Sequence, residues 1–249
     1  MEFVVTKEDF ENTINVCEIF STYGVLRVKS FFSIDDILSV RKELLKYYDK
    51  TPPNTNVAFG LLGIGKHGDY ECGQALRIAN NYFKRFPNTT ALVSKEDSLN
   101  HFLNHFFPPP NKKLLQIFST YDYIKIKETE MPRNAWLHFD PYEAIKYAVM
   151  LQDTDQSNGC LFVIPKSQSE GKYIRESLME HKVTYKGGLS HRFVDYRDKI
   201  KSNYSEQDIV FVDTKIGDLL ILNTDCWHGG GIIQEEGKER IAIYYHNRR

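Results

Sequence analysis

Cysteine is scarce in this chain of 249 residues, and the four present (Cys17, Cys72, Cys160 and Cys226) are scattered. No CxxC pair occurs, so neither a disulfide framework nor a thiolate zinc site is indicated, and reduced thiols are the expectation. Charge of one sign is also lacking. Lys and Arg number 32 against 33 Asp and Glu, for a formal net charge of −1. That balance argues against nucleic acid or an anionic membrane as a general partner. No apolar run approaches the length of a membrane-spanning helix. The N-terminus "MEFVVTKEDFEN" has no basic segment leading into an apolar stretch, so no signal peptide is read there. A cytoplasmic protein is expected. Internal repeats and low-complexity linkers are missing too, and no break in composition marks a second domain.

What is present is enough apolar residue for a sizeable core, 41% hydrophobic and 13% aromatic. Residues 24–32, "GVLRVKSFF", read as a strand. Residues 33–50 read as a helix, with Ser33 as cap and Asp36 completing a capping pattern. Ile34, Ile37, Leu38, Leu44 and Leu45 lie roughly on its apolar face. Residues 51–70, rich in proline and glycine, read as a loop. Residues 98–107 read as a short helix stopped by Pro108, Pro109 and Pro110. Beyond them the chain turns to short β-type runs: "LLQIFSTYDYIKIK", "IKYAVMLQD", "CLFVIPKS", "DIVFVDT", "DLLILN" and "RIAIYYH". The expectation is a single domain, residues 1–249: a β core from about residue 115 to 249, with a helical and mixed support over 1–114.

One stretch, "NAWLHFDPYE" (134–143), carries the chemistry. Alternation along a strand puts His138 and Asp140 on one face and Phe139 on the other. Such a pair is either an ordinary surface pair or two donors of a metal site. A third donor is available in His228, 90 residues later (228 minus 138), where the apolar run "DLLILN" ends in "NTDCWHGGG". Two imidazoles and one carboxylate make the facial set of non-haem Fe(II) oxygenases. Twelve residues further on (240 minus 228), Arg240 opens the strand "RIAIYYH". Alternation places Arg240, Ala242 and Tyr244 on one face, and Ile241, Ile243 and Tyr245 on the other. An arginine on the inner wall of a β core is costly unless it meets an anion, and its planar fork suits a carboxylate.

Taken in order, "LHFD", "MLQDTDQSNGCLFVIPKSQ" (150–168), "GDLLILNTDCWHGG" and "GKERIAIYYH" resemble the phytanoyl-CoA dioxygenase family of Fe(II)- and 2-oxoglutarate-dependent oxygenases. The resemblance covers roughly residues 120–246 well and the N-terminal part loosely. It implies a double-stranded β-helix (a cupin-like jelly roll) with flanking helices. It implies His138, Asp140 and His228 as iron ligands, and Arg240 as partner of the distal carboxylate of 2-oxoglutarate. O2 is then the second co-substrate and ascorbate a supporting reductant. The filled Asp140 position argues for hydroxylation, or another outcome of hydrogen abstraction, over halogenation, since related halogenases put a small residue there. The chain departs from the family at Gly230, where many members have a serine that helps hold the co-substrate. Tyr123 and Lys125, on the run "YDYIKIK", are candidates for a compensating contact, with solvated sheet-edge residues as the alternative. Phe139 stands for the usual glutamine, and Trp136 lies one place further back than the usual tryptophan.

Other residues carry weaker signals. His101 and His105 share a helical face, but Phe102 replaces the glutamate of the zinc-protease pattern. "GLLGIGK" (60–66) lacks phosphate-loop spacing and reads as a mobile loop over the pocket. The basic insertion 182–204 reads as a solvated loop or as a lid using Lys186, His191 or Arg192. Cys226 and Trp227 are expected to pack around His228. The implied substrate is a small molecule, polar or anionic by preference. A cupin-like isomerase or hydrolase, and an inactive β-barrel that only binds a ligand, are the competing classes.

Overall fold

The computed structural model describes residues 1–49, 56–57, 60–67, 70–94, 96–107, 113–125, 137–140, 142–180, 191–192 and 203–248. In chain order the N-terminal half supplies β1 (Val4–Thr6), α1 (Lys7–Glu11), α2 (Thr13–Tyr23), β2 (Val25–Lys29), α3 (Ile34–Tyr48), β3 (Asn56–Val57), β4 (Gly60–His67), β5 (Tyr70–Ala79), α4 (Pro87–Ser94) and α5 (Asp97–Phe106). The rest supplies β6 (Lys113–Asp122), β7 (His138–Phe139), β8 (Ala144–Met150), β9 (Leu161–Val163), α6 (Gln168–Glu180), β10 (His191–Arg192), β11 (Val210–Val212), β12 (Leu219–Asn223), β13 (His228–Gly230) and β14 (Arg240–Arg248). Among these residues a nine-stranded sheet runs β1-β2-β12-β8-β14-β6-β5-β4-β3, and a five-stranded sheet runs β10-β7-β13-β9-β11. The two face each other as the expected jelly roll.

Alternation on β14 sorts the layers. Ile241, Ile243 and Tyr245 face the helices, in a core with Phe10, Phe20, Ile37, Leu44 and Phe102. Ala242 faces the smaller sheet, in a core with Ala148, Met150, Leu161, Val163, Leu220 and Leu222. A third cluster, with Phe139, Phe162, Ile164, Ile174 and Trp227, lies on the far side of the smaller sheet and includes α6. The period-two pattern read from "RIAIYYH" therefore describes both faces correctly.

The N-terminal segment does more than flank the barrel. β2 is hydrogen-bonded into the large sheet against β12, and β5 against β6. α3 begins where expected, with Ser33 Oγ accepting from the Asp36 amide at 3.1 Å. Its buried face, however, is Ile37, Val40, Glu43, Leu44 and Tyr48. Ile34 and Leu38 are 55% and 48% exposed, because their side chains lie a third of a turn off that stripe. Glu43 is buried for a reason: its carboxylate accepts from Asn88 N, Thr89 N and Thr89 Oγ1, which satisfies the start of α4. Residues 60–67, read as loop, form β4 and pair antiparallel with β5. The ladder offered by β5 outweighs the local glycine content, which is how tertiary pairing overrides propensity.

Candidate metal centre

His138 lies on β7 and His228 opens β13; the two strands pair with these residues directly opposite. Phe139 turns away and packs edge-on against Trp227, with centroids 4.8 Å apart. His138 and Asp140 consequently share the inner face. One donor atom from each of His138, Asp140 and His228 lies within 4.8 Å of the others, and all three residues are buried. The imidazoles of His138 and His228 are 4.5 Å apart, centroid to centroid.

The strand ends are tied together so that this convergence is fixed. Thr224 is the knot. Its carbonyl accepts from Asp140 N at 2.9 Å and its amide donates to Ala144 O at 3.1 Å. Its hydroxyl accepts from Ala144 N at 3.1 Å. The segment leading to His228 is braced from outside by α6: Arg175 forks onto Asp225 at 2.7 and 2.9 Å, and Trp227 Nε1 donates to Glu170. Gly24, the left-handed cap of α2 (φ +67°), lies so close to Cys226 Sγ that a Cβ there would clash. Cys226 itself is a packed thiol, pushed by burial up to about 12, which is the packing role expected for it.

His228 Nδ1 donates to Cys226 O at 2.7 Å, which fixes the tautomer and leaves Nε2 with the lone pair that a metal could take. Burial, then the neighbouring His138 and Lys146, hold His228 well below the ordinary imidazole range, so it is neutral. Burial alone would raise Asp140; the Lys146 ammonium and the two imidazoles outweigh it and hold the carboxyl below its usual range. Sequence reasoning missed Lys146. It stands on β8 in the opposite wall, its Nζ 2.7 Å from Asp140 Oδ2 and 3.4 Å from His228 Nε2. The approach to Asp140 is close but poorly aligned, and Oδ2 keeps an unmet hydrogen bond. A buried carboxylate beside two imidazoles is the donor set a divalent ion of intermediate softness takes.

Arg240 is buried on the inner wall, as alternation predicts, but the anion it meets here is a protein carboxylate. Asp122, directly opposite on β6, accepts from Arg240 Nη2 at 2.6 Å and Nε at 3.2 Å. Arg240 Nη1 donates to the carbonyls of Gly159 and Gly231, the latter at 2.8 Å. Both glycines are needed, because a Cβ on either would strike the backbone of the other. The structure does not bring Tyr123 and Lys125 into this group. β6 ends at Asp122, and its even-numbered residues are the ones that face inward with Arg240. Tyr123 is 40% exposed, its ring against Tyr121 at 5.0 Å, and Lys125 is exposed in a bridge to Ile233. His101 and His105 lie on α5, on the helical side, where they line a cavity of about 780 Å³ with Cys17 and Glu18. Within the basic insertion, residues 191–192 form β10 against β7, with Arg192 opposite His138 in register; Lys186 lies outside the described residues, as does Trp136.

Comparison with known proteins agrees with this architecture. The profile of the phytanoyl-CoA dioxygenase (PhyH) family matches residues 20–238. The chain belongs to the phytanoyl-CoA dioxygenase family. Enzymes of this family use Fe(II) and 2-oxoglutarate. A phytanoyl-CoA dioxygenase of Arabidopsis thaliana is 21% identical over 246 residues, covering 85% of this chain and 80% of the relative. Two solved structures share the fold. HygX of Streptomyces hygroscopicus, with nickel and 2-oxoglutarate bound, superposes with a TM-score of 0.60 at 17% identity, covering 95% of this chain and 87% of HygX. The non-haem α-ketoglutarate-dependent epimerase SnoN from nogalamycin biosynthesis superposes with a TM-score of 0.58 at 12% identity, covering 97% of this chain and 82% of SnoN. Among the described residues no helix is long and apolar enough to cross a membrane.

Proposed function

We propose that this family member is an Fe(II)- and 2-oxoglutarate-dependent dioxygenase that hydroxylates an unactivated C–H bond of a small molecule, releasing succinate and CO2. The observation that carries the reading is the convergence of His138, Asp140 and His228, with donors within 4.8 Å in a buried space between two sheets. In this reading those three side chains hold Fe(II), which with 2-oxoglutarate and O2 supplies the oxidising power for C–H attack. The chain's own residues set the conditions. The Cys226 carbonyl keeps the His228 lone pair turned inward, and Thr224 holds the two ligand segments at one spacing. The apolar wall of Ala148, Met150, Leu220 and Leu222 excludes water.

Arg240 is the proposed anchor for the distal carboxylate of 2-oxoglutarate. Since its fork already holds Asp122, the co-substrate enters by exchange, taking over donors that Asp122 releases. Tyr123 and Lys125, exposed as they are, have no part in the proposed site. The return of the basic insertion to β7 at residues 191–192 supports a polar or anionic substrate. The test is to give purified protein Fe(II), ascorbate, 2-oxoglutarate and a panel of small polar and anionic molecules, and to measure succinate and product mass together. Succinate formed in step with a product 16 mass units heavier, one oxygen atom, is expected. Succinate with a product of unchanged mass would replace hydroxylation by epimerisation, and product without succinate would point to a cupin-like isomerase or hydrolase.

A further inference from the structure

Lys146 approaches the three donors from the other sheet. It shares the inner face of β8 with Ala148 and Met150, its side chain is only 13% exposed, and its ammonium approaches both Asp140 Oδ2 and His228 Nε2. Both side chains belong to the group that could hold a divalent ion. We propose that Lys146 is a positioning residue of the keto-acid site, one that competes with the divalent ion for Asp140 and His228 and supplies the positive charge that draws an anion to the loaded metal. This inference rests on the Fe(II)/2-oxoglutarate reading and adds to it a residue that no family motif names.

Charge balance in a buried space sets this role. Among the described residues, and with both histidines deprotonated as metal ligation requires, Asp140 and Lys146 cancel, as do Arg240 and Asp122. A dication on the three donors raises the sum to +2, and a buried uncompensated charge is unfavourable. A dianion returns the sum to zero. The ammonium therefore acts in opposite directions on the two ligands: it repels the metal and attracts the keto acid. The poor alignment of Lys146 with Asp140 fits this role. The ion pair neutralises the carboxylate without saturating its oxygens, so Asp140 remains able to exchange one cation for the other.

The experiment uses Co(II) as a redox-stable probe. Calorimetry and visible absorption follow Co(II) binding to metal-free protein, and then 2-oxoglutarate binding to the Co(II)-loaded protein, for the parent, Lys146→Met and Lys146→Arg. Lys146→Met is expected to bind Co(II) ~10-fold more tightly and 2-oxoglutarate ~10-fold more weakly, the scale on which outer partners tune a metal site. Lys146→Arg, which keeps the charge, should hold 2-oxoglutarate within ~3-fold of the parent by the same charge argument. Should the Met variant fail to fold, Lys146→Gln gives the same reading. Unchanged affinities, or a parallel loss of both ligands as from a merely structural residue, would overturn the proposal while leaving the enzyme class intact. A parent that binds neither Co(II) nor 2-oxoglutarate would overturn both.

Discussion

At one end of the space between the sheets, two imidazoles, a carboxylate and one lysine converge, and Asp140 Oδ2 has no hydrogen bond. At the other end, where β14 begins, Arg240 is held by Asp122 and two backbone carbonyls. Both ends bring buried charge together, and each leaves one carboxylate oxygen, Asp140 Oδ2 and Asp122 Oδ1, without a hydrogen bond; the first offers a cation three converging donors, whereas the second pairs its guanidinium within the protein. In the proposed reading the first end is a preformed metal site and the second an exchange site. A metal would enter the first by displacing the Lys146 ammonium, whereas the co-substrate carboxylate would take the second by displacing Asp122.

Breaking the Arg240–Asp122 ion pair should have the largest effect. Arg240→Met leaves Asp122 buried without its partner and is expected to cost about 3–5 kcal/mol of stability, read by urea unfolding. Adding Asp122→Leu should recover most of it, since an apolar pair of similar volume is often neutral. At the open end, Thr224→Val removes the acceptor of the Ala144 amide and should cost about 1–3 kcal/mol. It should also weaken Co(II) binding, because the two ligand segments lose their common tie. A normal Co(II) affinity in that variant would show that the ligands are placed without Thr224. Asp122→Asn sharpens the contrast in the other direction. By removing the anion that competes for Arg240, it is expected to tighten 2-oxoglutarate ~10-fold, worth about 1.4 kcal/mol. Weaker binding would mean that Asp122 helps to hold the co-substrate.

The smallest effect is in pH. Folded His228 stays neutral well below the ordinary imidazole value of 6.5, whereas the unfolded chain protonates there. Stability of the metal-free protein is therefore complete above about pH 6.5 and falls as pH drops below it, by at most ~1.4 kcal/mol per pH unit for this one group. His228→Gln should flatten that slope, measured by unfolding at a series of pH values. The Asp140 carboxyl, held low, adds stability present above its unfolded value near ~3.9 and lost only at more acid pH.

Much of the open end was legible in sequence, and little of the closed end was. His138, Asp140 and His228 announce themselves through strand alternation and the turn after an apolar strand, and the two faces of β14 follow from "RIAIYYH" alone. Asp122 and Lys146 do not. Each needs the pairing partner of its strand: Asp122 matters because β6 meets β14 in the register that sets it opposite Arg240, and Lys146 because β8 crosses under a different sheet. A lysine in "AIKYAVM" carries a signal only in its alternation with Ala144, Ala148 and Met150, three residues that need burial. Choosing the odd-numbered face of "YDYIKIK" led to Tyr123 and Lys125, whereas the inward face carries Asp122. β4 was hidden for the same reason: glycines suggest a loop until β5 offers a ladder.

The most direct measurement is a Co(II) titration of the metal-free protein, read by calorimetry and visible absorption, for the parent and for His138→Ala, Asp140→Asn and His228→Ala. One ion per chain in the parent, with affinity falling more than ~100-fold in each variant while the fold is kept, is the predicted result, beyond what loss of an outer partner costs. Variants that bind Co(II) as the parent does would contradict a shared site at these three residues.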